Sequence, residues 1–310
     1  MFWIISVFLI IAAVLFFIMY IARGAAFYYP VKKRRSPSPY FGTVNERDRS
    51  FIKGLFDEMA ALPFEKVSTT AYDGLTLNGM YYHVSDDAPL QIQFHGYHGS
   101  GVRDFSGGNK LARDMGHNTL VIEQRSHGES LDSTVTFGVR EKFDCLSWIE
   151  YAIGRFGKEK SIILAGVSMG AATVLMASAL KLPENVKCII ADCPYSSPAD
   201  IIEKVCRVDM HLPGKLGRFV ACATARLMCG FSLKDEGPVF AVKKATVPIL
   251  IIHGDADAFV PCDMSRKIFA ACSSEKKHLE IFEDAGHGLS YIVDDKRYKE
   301  TVEQFFKEVL

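Results

Sequence analysis

The sequence predicts an α/β domain on a mainly parallel sheet, and three observations carry that prediction. From about residue 90 to the C-terminus, short apolar runs alternate with stretches of helical spacing. Polar, Gly-rich segments follow those apolar runs directly. Ahead of the series, Tyr72-Asp73-Gly74 carries the strong Asp-Gly hairpin signal and marks an antiparallel edge. Short apolar strands alternating with helices form sheets covered on both faces. In such sheets, sites form at the carboxyl ends of the strands.

Composition removes several alternatives. The 310 residues include 36 Lys+Arg and 36 Asp+Glu, a formal net charge of zero. A nucleic-acid binder normally carries a basic excess, so none is expected as a partner. Hydrophobic residues make up 49% and charged residues 23%, which is ordinary for a folded domain and excludes disorder.

The elements follow in chain order. Residues 1–22 contain no charged side chain, and fourteen of them are Leu, Ile, Val or Phe. As a helix they reach roughly 33 Å, enough to cross a hydrocarbon core of about 30 Å. Insertion of those fourteen side chains is favoured by roughly 4–8 kcal/mol. A cleaved signal peptide is the competing reading, but it requires a basic region ahead of a shorter apolar run. Arg23, Lys32, Lys33, Arg34 and Arg35 all lie C-terminal to the span. The positive-inside rule therefore puts the rest of the chain in the cytoplasm as a single-pass membrane protein. Residues 23–43, with Ser36-Pro37-Ser38-Pro39, read as a basic, Pro/Ser linker, and residues 44–310 as the folded domain. The eight cysteines form no C-x-x-C pair, so neither a zinc site nor a disulfide framework is expected, in keeping with a reducing compartment.

Within the domain, a helix is expected over Glu46–Leu62 with Phe51, Leu55, Phe56 and Met59 on one side. Strands are expected near Lys66–Ala71, Leu75–Tyr82, Leu90–Phe94, Thr119–Glu123, Ser161–Ala165, Val186–Ala191, Pro248–Ile252 and His278–Phe282. Helices are expected around Gly108–Met115, Arg140–Phe156, Met169–Lys181, Met264–Cys272 and Lys296–Val309, with a long insertion after the sixth strand.

The loops after the strands carry the chemistry. Gly166-Val167-Ser168-Met169-Gly170 is a G-x-S-x-G motif where an apolar strand meets a helix, the setting of a nucleophile elbow. A tight turn with a capping serine is the simpler alternative. A serine hydroxyl needs a base, and with this elbow the chain order is Ser, acid, His. Of the nine histidines, only His278 and His287 follow the candidate acids. His278 falls inside a strand, so His287, in Asp284-Ala285-Gly286-His287-Gly288, is assigned as base. Asp257 is favoured as the acid over Asp255, which suits a turn-stabilising role, and Asp192 is a third candidate. The turn His95-Gly96-Tyr97-His98-Gly99-Ser100 exposes backbone N–H groups. The N–H of Tyr97 and that of Met169 are assigned as oxyanion donors. His98 is a candidate substrate contact and His95 a turn-stabilising residue. Gln124-Arg125-Ser126-His127-Gly128-Glu129-Ser130 reads as bracing beneath the site.

The ordered set HGYHGS, EQRSHGES, GVSMG, HGDADAFVP and AGHG resembles the α/β-hydrolase superfamily, in particular its membrane-anchored bacterial serine hydrolases, with some likeness to acyl-esterases and thioesterases. The resemblance runs from Phe64 to Leu310. It implies an eight-stranded, mainly parallel sheet and a Ser168–Asp257–His287 triad. It also implies a small helical cap at about 194–244, whose apolar stretches would line an acyl pocket, pack against the core, or both. One departure is visible: Glu123 and Ser126 stand where many relatives have Asp and Gly. The expected activity is hydrolysis of a carboxylic ester or thioester of a small or lipid-like acyl group, with no metal or organic cofactor. A peptidase of the same fold and a non-catalytic membrane-tethered binding module are the alternatives.

Overall fold

Among residues 2–34 and 44–310, which the computed structural model describes, eight strands join in one sheet. They are β1 (Glu65–Thr70), β2 (Thr76–Tyr82), β3 (Leu90–Phe94), β4 (Asn118–Glu123), β5 (Ile162–Val167), β6 (Val186–Asp192), β7 (Ile249–Gly254) and β8 (Lys277–Phe282). The order is β1-β2-β4-β3-β5-β6-β7-β8. β1 and β2 pair antiparallel, β2 pairs antiparallel with β4, and every other pairing is parallel. The chain therefore winds outward from β3 to β4, then reverses and passes back to β5 on the other side of β3. Loops leaving neighbouring strands at such a reversal diverge and open a crevice. The loops after β3 and β5 are the two that carry Tyr97 and Ser168.

The helices are α1 (Phe2–Ala22), α2 (Glu46–Ala61), α3 (Gly101–Asp114), α4 (Glu141–Phe156), α5 (Met169–Ala177), α6 (Pro198–Lys204), α7 (Gly214–Met228), α8 (Pro238–Ala241), α9 (Asp263–Ala271), α10 (Ser290–Val293) and α11 (Asp295–Val309). Side-chain alternation along the central strands sorts the core into two layers. Ile92, Phe94, Ile162, Leu164 and Ile189 face one way, onto α4, α5 and α9. Ile163, Ala165, Ile190 and Leu250 face the other way, onto α3 and α11.

Element bounds differ from the sequence expectation chiefly at α3, which begins at Gly101 rather than near Gly108. Ser100 caps it by accepting a hydrogen bond from the Arg103 N–H at 3.3 Å. Gly107 and Gly108 thus lie inside the helix. A Cβ on Gly107 would come within 2.6 Å of the Tyr291 ring, so glycine is what lets α3 lie this close to α10. On α2 the inward face is Ile52, Leu55 and Met59, while Phe51 and Phe56 are only half-buried.

The linker reading of residues 23–43 is corrected over 26–34. Arg35 and Ser36-Pro37-Ser38-Pro39 lie outside the described residues. The chain before them docks on the domain as a strap. Phe27 is fully buried, with edge-to-face contacts to Phe137 at 5.9 Å and Phe231 at 5.5 Å. Val135 N–H donates to Phe27 O at 2.9 Å, and Tyr29 N–H donates to Ser133 O at 2.8 Å. The Arg34 guanidinium donates to the carbonyls of Gly128, Ser130 and Asp132. Phe27→Ala should therefore destabilise the protein by about 3–5 kcal/mol. Urea unfolding of the full chain in detergent reads this as a lowered midpoint, and a loss below about 1 kcal/mol would show the docking to be superficial.

Candidate active site

The site begins with a strained turn. Ser168 has φ 55° and ψ −115°, a region a residue with a side chain enters only under constraint. The constraint is the close seating of the β5–α5 turn on the end of β3. A Cβ on Gly170 would lie 1.7 Å from Phe94 O, and one on Gly166 would lie 2.3 Å from Gly170 O. Both positions must be glycine. The turn leaves Ser168 Oγ at the carboxyl end of the sheet and Met169 N–H at the first position of α5, where no intrahelical partner exists.

His287 sits in the loop between β8 and α10. Ser168 Oγ–H donates to His287 Nε2 at 2.9 Å, and His287 Nδ1–H donates to Asp257 Oδ2 at 2.6 Å. Asp257 lies on the loop after β7, and its Oδ1 accepts the N–H groups of Phe259 at 2.9 Å and Val260 at 2.8 Å. Burial opposes its charge, but hydrogen bonds from His253 and His287 and the Val260 N–H prevail, so the carboxyl is held well below the usual carboxylate range. Asp255 takes the other expected role: its Oδ1 accepts the Asp284 N–H at 2.8 Å, tying the two loops together.

The turn after β3 reaches the same point. Among the described residues Tyr97 N–H takes no backbone partner, and Tyr97 and His98 line the cavity beside Ser168. His98 N–H donates to His127 Nε2 at 3.0 Å, and His127 Nδ1–H donates to Arg125 O at 3.0 Å. Burial pushes the His127 imidazole well below its ordinary value and keeps it neutral, so it can accept that bond. His95 braces the turn: it donates from Nδ1 to Gly96 O at 2.8 Å and accepts the Gln124 N–H at Nε2 at 3.1 Å. Arg125 is fully buried and paired with Asp144 and Asp73.

Three features were not visible in the sequence. Tyr29 of the strap stacks on His98 at 3.9 Å, and Tyr97 O–H donates to Ala26 O at 2.9 Å, so the strap holds the turn after β3. His253 is buried; its Nε2 lies 2.8 Å from Val260 O and 3.2 Å from Asp257 Oδ2. Its place as the first residue of HGDADAFVP was the available signal. Cys193 offers a thiol whose Sγ lies with ligand atoms of Asp257 and His287 inside 4.8 Å. Burial pushes that thiol up, and the imidazole and carboxylate atoms are already joined by a hydrogen bond, so the donor set suits proton handling better than a cation. Among the described residues His287 pairs with Asp257 rather than Asp192. Its Oδ2 accepts the Tyr298 O–H at 3.1 Å.

A cavity of about 340 Å³ starts at Ser168 and His287. The expectation that the cap lines it is corrected. No residue of 194–244 does so; its walls are α3, α10, α11 and the sheet. The cap packs instead over α5 and the strap, through Tyr195, Ile201, Ala225 and Phe231.

The fold and the family models together place the chain in the α/β-hydrolase superfamily. A family model described as "alpha/beta hydrolase fold" matches residues 92–232, and one described as "Serine aminopeptidase, S33" matches residues 239–291. The chain is similar to the YqkD protein of Bacillus subtilis (strain 168), 27% identical over 63% of this chain and 64% of that one, a little under two thirds of the relative's length. It is also similar to YfhR of Escherichia coli (strain K12), 24% identical over 91% of this chain and 90% of the other. Among solved structures, the Pyrococcus furiosus esterase Pf2001 shares the fold with a TM-score of 0.66 at 20% identity, covering 88% of this chain and 99% of that one.

Burial pushes the Asp192 carboxyl up from 3.8 to about 6. Between those values the native state holds more protons than the unfolded state, so stability falls as pH rises through that window and then levels off. Asp192→Asn keeps an acceptor for Tyr298 but has no such fall. Relative to the native chain it should gain roughly 2–3 kcal/mol between about pH 4 and pH 7. Urea unfolding at the two pH values checks this, and parallel curves would refute it.

Proposed function

We propose that this protein is a serine hydrolase that cleaves carboxylic esters or thioesters through an acyl-enzyme on Ser168. The observation that carries the reading is the continuous hydrogen-bond chain Ser168 Oγ, His287 Nε2, His287 Nδ1, Asp257 Oδ2, at 2.9 and 2.6 Å. His287 takes the Ser168 proton as Oγ attacks the carbonyl carbon. Asp257, held ionised, orients the imidazole and stabilises its charged form. The N–H groups of Tyr97 and Met169 receive the oxyanion, each donor worth on the order of 10²–10³ in rate. His287 then protonates the leaving group and activates the water that releases the acid. The cavity beginning at Ser168 favours an acyl group over a peptide as the part held by the enzyme, because its walls are mainly apolar side chains such as Phe105, Leu111, Ile190 and Val302.

Ser168→Ala should lower turnover of a p-nitrophenyl ester by on the order of 10⁴-fold or more while leaving the circular dichroism unchanged. A fluorophosphonate probe should label the native chain at Ser168 and not the variant. Retained turnover in the variant would overturn the assignment. Turnover of peptide amides in preference to acyl esters would favour the peptidase, and failure to label, with no turnover of either, would favour a binding module.

The membrane reading is proposed alongside it. Among the described residues one helix, α1, is long and apolar enough to cross a bilayer, and its side chains are exposed almost throughout. Its domain-proximal end packs against α7. The cap helix α7 turns Leu216, Phe219 and Leu227 outward at helical spacing, 58%, 70% and 71% exposed. A lipid surface at the end of α1 would cover that stripe. The basic flank at residues 32–35 supports a cytoplasmic domain. The full chain should stay in the membrane pellet after alkaline carbonate extraction, at its full-length mass. Release into the supernatant, or a mass lacking the first residues, would point to a cleaved signal instead.

A further inference from the structure

The cavity beneath Ser168 has a polar wall where the sheet around it is apolar. On the face of the sheet that meets α3 and α11, β5, β6 and β7 present Ile163, Ala165, Ile190 and Leu250. On the same face β3 presents Gln91 and Gln93, which are 5% and 0% exposed. Their amides form a chain of one polarity. Gln91 Nε2 lies 3.0 Å from His117 Nδ1. Burial lowers the proton affinity of His117 and keeps it neutral, and the tautomer with its proton on Nε2 leaves Nδ1 to accept the Gln91 N–H. Gln91 Oε1 in turn accepts Gln93 Nε2 at 3.4 Å, and Gly108 O lies 3.4 Å from the same Nε2. Both neighbours of the Gln93 nitrogen are acceptors, so the amide orientation is fixed and Oε1 is the end of the chain. That atom is buried and has no hydrogen-bond partner among the described residues. Two strands away on the same face, Asp192 is 6% exposed; its Oδ2 is used by Tyr298, and its Oδ1 also has no partner among the described residues.

Two side chains that line this cavity thus keep a buried polar atom unused, and both atoms are acceptors. A ligand that completes them brings donors. The register gives their depth. Gln93 pairs with Ala165, three residues before Ser168, and Asp192 pairs with Val167, one residue before it. At about 3.3 Å per residue, Gln93 lies about 10 Å below the serine. An ammonium would have to leave water for walls made largely of Phe105, Leu111 and Val302, which costs more than one carboxylate returns. A hydroxyl gives its proton to an amide oxygen without that cost.

We infer that this cavity is an acyl-binding site for a hydroxylated acyl group, whose distal hydroxyl donates to Gln93 Oε1, with Asp192 Oδ1 as a second acceptor nearer the serine. The inference rests on the acyl-enzyme reading of Ser168. A site built to bond a hydroxyl discriminates strongly against the analogue lacking it, because its own polar groups are then left unpaired.

The test compares p-nitrophenyl octanoate with its ω-hydroxy counterpart on the full-length protein in detergent, with the hexanoate and decanoate pairs as length controls. The native chain should prefer the hydroxylated ester by at least about tenfold in kcat/KM at the best length. Gln93→Met, close in volume and apolar, should remove that preference, read as the ratio of kcat/KM for the two esters. A native preference near unity overturns the inference whatever the variants do, and the acceptors are then met by water alone. A preference that survives in both Gln93→Met and Asp192→Asn overturns the assignment to these residues. A second readout does not depend on catalysis. Thermal shift of Ser168→Ala with free ω-hydroxyoctanoate should exceed that with octanoate. Equal shifts overturn the inference. If no ester is turned over and no fluorophosphonate labels Ser168, the acyl-enzyme reading has failed, and the thermal shift still decides the cavity.

Discussion

The contact between Gly170 and the end of β3 governs the geometry of the site. Because nothing stands between Gly170 and the Phe94 carbonyl, the β5–α5 turn lies directly on the strand that precedes Tyr97. That seating forces Ser168 to positive φ, a strain of about 1–3 kcal/mol that only a dense surround can hold. It also sets the distance between the two loops that diverge at the winding reversal. The serine, the start of α5 and the turn that carries Tyr97 are therefore brought together by backbone geometry, before any side chain takes part.

His287 and Asp257 arrive from the other side of that point, on the loops after β8 and β7. Neither loop stands by itself. Asp255 bonds across to the Asp284 N–H, and buried His253 approaches Asp257 beside the Phe259–Val260 turn. The carboxylate is thus held by several donors, and its orientation does not depend on the imidazole. The cavity, by contrast, descends along one face of the sheet between α3 and α11, away from the cap. The cavity and the cap packing accordingly occupy different parts of the molecule. The cap sequence is free to answer to the surface around α1.

Much of this was legible in the sequence because it depends on local order. Strand, Gly-rich loop and helix recur in a fixed sequence, so the residues after each strand could be read off, and Ser168, Asp257 and His287 meet in the structure as expected. What was not legible depends on contacts far along the chain. Gly107-Gly108 looks like a break before a helix until Tyr291 is seen to press on it. Leu90-Gln91-Ile92-Gln93-Phe94 alternates as a strand with one wet face would, yet both faces of β3 are covered. The aromatic residues Phe27 and Tyr29 fall in the stretch that reads as a linker because their partners, Phe137, Phe231 and His98, are distant in sequence.

The strap carries a mechanical consequence. Phe27 is buried and Tyr29 is stacked within a few residues of Ala22, the last residue of α1. With α1 in a bilayer there is no slack between the lipid and the turn that holds Tyr97. The crevice then stands at one height and one tilt above the membrane, set by the protein rather than by thermal wandering of a tether. For a substrate of the proposed kind, dissolved in the same leaflet, encounters become a search in a plane. Drift along the surface brings the two together, and the rate follows how crowded that surface is rather than how much of the compound is free in the surrounding water.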